Sequence, residues 1–227
     1  MKYYAYILSI KNSERREHVE SLSKKLHNTG FEGVEIIDAL YWKECDVLSI
    51  LNELQIELRT YSISQAQVAC FLTHRKAWDI ISNKNPEDIH IILEDDMDIP
   101  EDFSMNDIEK VYNSIYKENY DSIFLYKHPE QASDLSNLVY CYNEYLLKHY
   151  FQWGFCAYSI QPNFAKELIE FVKHIDCPVD NQIQTQLIEK YKKDRVFYTV
   201  KDFFCNLGFV AGNTYYGEYK FKSNIWG

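Results

Sequence analysis

The sequence predicts an α/β fold, a central sheet with helices on both faces. Two observations carry this reading. Short runs of branched and aromatic residues alternate with longer segments of helical periodicity along the whole chain. The 227 residues, 46% of them hydrophobic, suffice for a single domain with a sizeable core.

Residues 3–10 read as a buried first strand. Ser13 is placed to cap a helix running to about residue 28, which Gly30 ends. "VEIIDA", 34–39, is a second strand, and 44–58 is expected to be helical. The best-defined helix is "SQAQVACFLTHRKAWDII", 64–81. Ser64 and Gln67 have capping-box spacing there, and Val68, Phe71, Leu72, Trp78 and Ile81 recur at helical intervals. A strand at 89–94, a helix at 104–118 and strands at 121–126 and 153–160 follow. Pro162 starts a helix with Phe164, Ala165, Leu168, Ile169 and Val172 on its buried face. Asp180 opens a further helix, and the aromatic stretch 195–227, with Gly208, Gly212 and Gly217, is expected to hold short strands.

The net charge of −10 argues against a nucleic-acid partner, which selects basic surfaces. Cysteines 45, 70, 141, 156, 177 and 205 form no CxxC pair, so they read as reduced and the compartment as cytoplasmic. The N-terminus has no signal-peptide pattern, and no apolar run reaches the roughly 18 residues of a membrane span. Any membrane contact is expected to be peripheral. No GxGxxG, P-loop, GxSxG or HExxH pattern is present.

The stretch that asks for a chemical reason is "IILEDDMDIP", 91–100. An apolar strand runs into Glu94, Asp95 and Asp96, and like charges so close raise one another's pKa. A divalent cation relieves that repulsion. If the strand continued, Glu94 and Asp96 would share a face and suit a hard cation such as Mn²⁺ or Mg²⁺. The competing reading is a solvated acidic turn. Asp98 fits a surface role better than that of a further ligand.

Other residues carry two readings each. His74, in a helix near Cys70 and Trp78, is either structural or functional. Arg15 and Arg16 follow the first strand, where a phosphate is commonly held, or form a charged first helix turn. Asp180 is a helix cap or a general base. Trp153 is a sugar-stacking ring or a core residue.

Together the motifs resemble glycosyltransferase family 25, which includes bacterial lipopolysaccharide and lipooligosaccharide galactosyltransferases and collagen galactosyltransferases. "YILSIKNSERREHVESL" is similar to the family's opening strand, loop and helix. "QVACFLTHRKAW" resembles its Cys-x-x-Ser-His segment, with Thr73 in place of Ser. "IILEDDM" matches its acidic motif, and "GFCAYSIQPNFAKEL" and "CPVD" follow in family order, with Gln161 and Pro162 departing from the pattern. The resemblance implies a GT-A-type nucleotide-sugar fold with a mixed central sheet. It implies one catalytic domain over 1–227, a donor half at about 1–100 and an acceptor half at about 101–227. It further implies inverting transfer of galactose from UDP-galactose to a surface glycan at the cytoplasmic face of the inner membrane. Ile10, Arg15, Arg16, Thr73, His74, Glu94, Asp95 and Asp96 become donor-site residues, with Asp96 and Glu94 as ligands of Mn²⁺ or Mg²⁺. Asp180, ahead of Asp95, becomes the catalytic base. The segment "FVAGNTYYGEYKFKSNIW" is similar to the family's closing segment, where a lid or a further metal contact would lie. A UDP-glucose or UDP-N-acetylhexosamine donor, and a degenerate binding module, are the alternatives.

Overall fold

The computed structural model describes residues 1–60, 62–116, 118, 120–127, 140–148, 155–183 and 195–207. Trp153, Gly208, Gly212, Gly217 and the stretch 208–227 lie outside the described residues. The strands are β1 (Tyr3–Ser9), β2 (Gly33–Asp38), β3 (Glu57–Leu58), β4 (Ile89–Glu94), β5 (Met97–Asp98), β6 (Ser122–Phe124), β7 (Tyr140–Cys141), β8 (Leu146–Lys148), β9 (Ala157–Ile160), β10 (His174–Ile175), β11 (Val196–Thr199) and β12 (Cys205–Asn206). The helices are α1 (Arg16–Thr29), α2 (Val47–Glu53), α3 (Gln65–Ile81), α4 (Met105–Ile115), α5 (Pro162–Phe171) and α6 (Val179–Gln182).

Among the described residues eight strands form one mixed sheet in the order β2-β1-β4-β9-β6-β11-β8-β7. β2, β1 and β4 are mutually parallel, and β9 runs antiparallel between β4 and β6. Strand parity sorts the core into two layers. Tyr3, Ala5 and Ile7 of β1 and Ile89, Ile91 and Leu93 of β4 pack with Val19, Leu22 and Leu26 of α1 and Ile108, Val111 and Ile115 of α4. Tyr6, Leu8 and Ile92 face the other way, onto Phe71, Leu72, Trp78 and Ile81 of α3 and Phe164 and Leu168 of α5. Both faces are covered, which is why β1 and β4 read as nearly unbroken apolar runs.

The capping box of α3 is present as expected. The Ser64 N–H donates to Gln67 Oε1 at 2.9 Å, and the Gln67 N–H donates to Ser64 Oγ at 3.2 Å. Gly30 ends α1 at φ +113°, with the Phe31 N–H on the Leu26 carbonyl and the Gly30 N–H on that of His27. Three expectations need correction. Ser13 does not cap α1: the helix starts at Arg16, Arg15 precedes it without a side-chain cap, and the Ser13 carbonyl accepts the Arg16 N–H. The expected helix over 44–58 is α2 alone, followed by β3. Gln55 takes φ 56° and closes α2 as a glycine would, with the Ile56 N–H on the Leu51 carbonyl and the Gln55 N–H on that of Asn52. The strands expected at 121–126 and 153–160 are shorter, 122–124 and 157–160 among the described residues.

No described helix is long and apolar enough to cross a membrane.

Candidate functional site

Three parallel strands end at one cleft. Ile10 follows β1, Ala39–Trp42 follow β2, and Glu94–Asp96 end β4, and all of these line it with Arg15, Cys70, Thr73 and His74. The carboxyl ends of parallel strands are where open α/β sheets take their ligands. The cleft is open to solvent.

Parity explains how the three carboxylates divide. Glu94 lies on the same side of β4 as Ile92, towards α3. There its Oε1 meets Nε2 of the fully buried His74 at 3.3 Å. Asp95 falls on the opposite side, towards α1, and forms a buried ion pair with Arg15. The continuing strand that would align Asp96 with Glu94 does not exist: β4 stops at Glu94, a turn carries 95 and 96, and β5 begins at Met97. Asp96 still lines the cleft, 3.7 Å from Arg15 Nη1. His18 of α1 bonds the Met97 carbonyl through Nε2 at 2.9 Å and so fixes the turn's far side.

His74 ends a buried chain. Trp78 Nε1–H donates to Tyr158 Oη at 2.9 Å, and that hydroxyl lies 3.0 Å from His74 Nδ1. A ring with its proton on Nε2 satisfies both contacts, donating to Glu94 and accepting from Tyr158. Tyr158→Phe leaves the Trp78 donor and the His74 acceptor without their partner, at a cost of about 2 kcal/mol. Urea unfolding checks this, with an unchanged m-value expected; no change in midpoint would refute the role given to Tyr158.

The charges are unequal in their support. Burial opposes the ionisation of Glu94, but the His74 and Cys156 hydrogen bonds and the Arg15 charge hold its pKa below the ordinary value. Burial also works against the Arg15 charge, yet Asp95 and Asp96 keep its pKa above the usual one. Asp96 has less help: burial, then repulsion from Glu94 and Asp95, pushes it up to about 7 against the pull of Arg15. Among the described residues one arginine faces these three carboxylates, a balance that suits a divalent cation.

The other expected residues fall into place unevenly. Thr73 lines the cleft, but its hydroxyl donates to the Ala69 carbonyl at 2.7 Å and accepts the Leu40 N–H at 3.0 Å, pinning the loop after β2. Arg16 is turned to Asp38, 3.0 Å away, and does not line the cleft. Asp98 pairs with Lys25 at 2.8 Å, the surface role expected of it. Asp180 is the second residue of α6 and accepts the Asn181 N–H at 2.9 Å, so it is no cap. It sits near enough to help raise the Cys70 and Cys156 thiols, after burial and Glu94.

Several residues in or beside the cleft escaped sequence reasoning. Tyr41 and Trp42 lie in a segment expected to lead only into a helix. Asn206 reaches the turn because β12 pairs with β5; its Nδ2 donates to Asp96 Oδ1 at 3.3 Å. Cys70 was expected beside His74, one helical turn away, but not as part of a site. Cys70, His74 and Glu94 offer ligand atoms all within 4.8 Å of one another.

The family model described as glycosyltransferase family 25 (LPS biosynthesis protein) matches residues 3–183. The chain belongs to glycosyltransferase family 25. The matched stretch of this transferase includes the acidic turn, α3, β9 and Asp180. The mixed α/β sheet accords with the GT-A-type fold class expected from the motifs. No curated protein matches the family 25 chain. Among solved structures it is similar to A197 from STIV, at 15% identity and TM-score 0.45, over 87% of this chain and 81% of that one. It is also similar to mouse xyloside xylosyltransferase 1 in its apo form, at 9% identity and TM-score 0.41, over 84% and 69%.

Proposed function

We propose that this transferase moves galactose from UDP-galactose, with inversion, to a lipopolysaccharide, lipooligosaccharide or other surface-glycan acceptor. The observation that supports the reading is the cluster of three partly or wholly buried carboxylates at the carboxyl ends of three parallel strands, where burial and then repulsion from Glu94 and Asp95 push Asp96 up to about 7. Asp96 and Glu94 would hold Mn²⁺ or Mg²⁺, and Ile10, Arg15, Thr73 and His74 would line the donor's bed. The cation, when bound, supplies Lewis-acid stabilisation of the negative charge that develops on departing UDP.

The protein's own groups do the rest. Arg15 neutralises Asp95 and keeps it turned from the diphosphate, which leaves Glu94 and Asp96, the two more exposed carboxylates, for the cation. His74 holds Glu94 ionised and oriented. Asp180 removes the acceptor hydroxyl proton on the face away from the leaving group. Residues 1–227 act as one catalytic domain, with donor contacts from about 1–100 and acceptor contacts from about 101–227, at the cytoplasmic face of a membrane.

UDP release is measured with a panel of UDP-galactose, UDP-glucose and UDP-N-acetylhexosamines, with acceptor and Mn²⁺ or Mg²⁺. Fastest turnover of another sugar overturns the galactose assignment, and UDP binding with no donor ever consumed overturns the enzyme. Asp180→Asn is expected to lose about 10²–10⁴ in kcat with donor KM nearly unchanged. A parallel rise in donor KM marks Asp180 as a structural residue instead.

A further inference from the structure

We propose that the inner wall of the cleft is a second metal site, selective for thiophilic ions of the zinc class and built from Cys70, His74 and Glu94. The two α3 residues stand four apart and so project from one face of the helix. β4 delivers Glu94 to that same face, and the three ligand atoms lie within 4.8 Å of one another. Thiolate, imidazole and carboxylate form a ligand set that zinc accepts and that Mn²⁺ and Mg²⁺, which prefer oxygen, do not favour. Three protein ligands lining an open cleft leave a fourth position for water.

The surroundings already have the form of a metal site's outer layer. A ligating imidazole needs its second nitrogen held, and Nδ1 lies 3.0 Å from Tyr158 Oη, itself fixed by Trp78. With Nε2 on the ion, the ring carries its proton on Nδ1 and donates it to the Tyr158 oxygen. Binding exchanges the Cys70 thiol proton for the metal and releases it to solvent.

Glu94 belongs to both sites. Zinc fixes it against α3 and withdraws it from Asp96, so zinc and the donor cation are antagonists. This second consequence rests on the transferase reading; the binding site itself does not.

Cobalt(II) titrated into the full chain tests the site. The expected result is one equivalent bound with a thiolate-to-cobalt charge-transfer band, displaced by Zn²⁺ and not by Mg²⁺. Cys70→Ser is expected to lose the band and at least about tenfold in zinc affinity, while Asp96→Ala and Cys141→Ser keep both. Mass-spectrometric mapping of alkylation needs no variant: Zn²⁺ should protect Cys70 and leave the exposed Cys141 reactive. Absence of the band in the wild type, its survival in Cys70→Ser, or unprotected Cys70 overturns the site. Where the site stands, zinc should lower Mn²⁺-dependent transfer in the wild type more than in Cys70→Ser; equal inhibition overturns the antagonism. A cobalt spectrum in a protein that transfers no sugar keeps the site and sinks the transferase reading; transfer without the spectrum does the reverse.

Discussion

Asp96→Asn is expected to abolish sugar transfer, by about 10³-fold or more, and at the same time to make the metal-free protein more stable at pH 8. Unfolded, this carboxyl ionises near pH 4, at its ordinary value. Folded and without metal, it holds its proton to about pH 7, because burial and then Glu94 and Asp95 oppose the charge. Between those limits the unfolded state binds fewer protons, so wild-type stability falls as pH rises from about 4 to about 7. Asparagine keeps the shape and carries no charge, so the variant lacks this fall. Its advantage is nil near pH 4 and full above pH 7, about 1–3 kcal/mol, or about 5 °C in Tm for a chain of this size. Mn²⁺ should then raise the wild-type Tm and leave that of the variant alone. Thermal melts at pH 4 and pH 8, with and without Mn²⁺, decide the matter. Parallel pH profiles for the two proteins would show that Asp96 bears no unrelieved charge, and undiminished transfer would remove it from the metal.

Arg15→Ala is expected to be the most damaging single change to the fold of the site, at about 3–5 kcal/mol. Its guanidinium and the Asp95 carboxylate are 5% and 12% exposed, so removing the cation strands a buried anion. The loss corresponds to about 10 °C in Tm. Adding Asp95→Asn to that background should return a good part of the loss, because the stranded charge is gone. A melt within about 1 °C of wild type for Arg15→Ala, or no recovery in the double variant, would show that the pair does not hold the acidic turn.

The chemistry was easier to read from the sequence than the order of the strands. Ser64, Gln67 and the apolar spacing define α3 through local rules, and local rules survive in the fold. The apolar run before Glu94 likewise marks β4 and its charged end. What parity alone could not supply was the turn at 95–96, which separates the three carboxylates by neighbour: His74 for Glu94, Arg15 for Asp95, Asn206 for Asp96. Gln55 shows the same limit from another side, since a non-glycine residue at φ 56° leaves no compositional trace. Asn206 meets Asp96 across 110 residues of chain, and no spacing rule reaches so far.

The antiparallel seat of β9 between β4 and β6 has a consequence for handling the protein. Residues 1–100 synthesised alone would present β4 as an unpaired border, its backbone donors and acceptors open beside Ile89, Ile91, Ile92 and Leu93. Such a border invites pairing with other copies and precipitation. The nascent chain meets the same hazard until residue 160 has emerged, so residues 1–100 are not expected to stand as a free module.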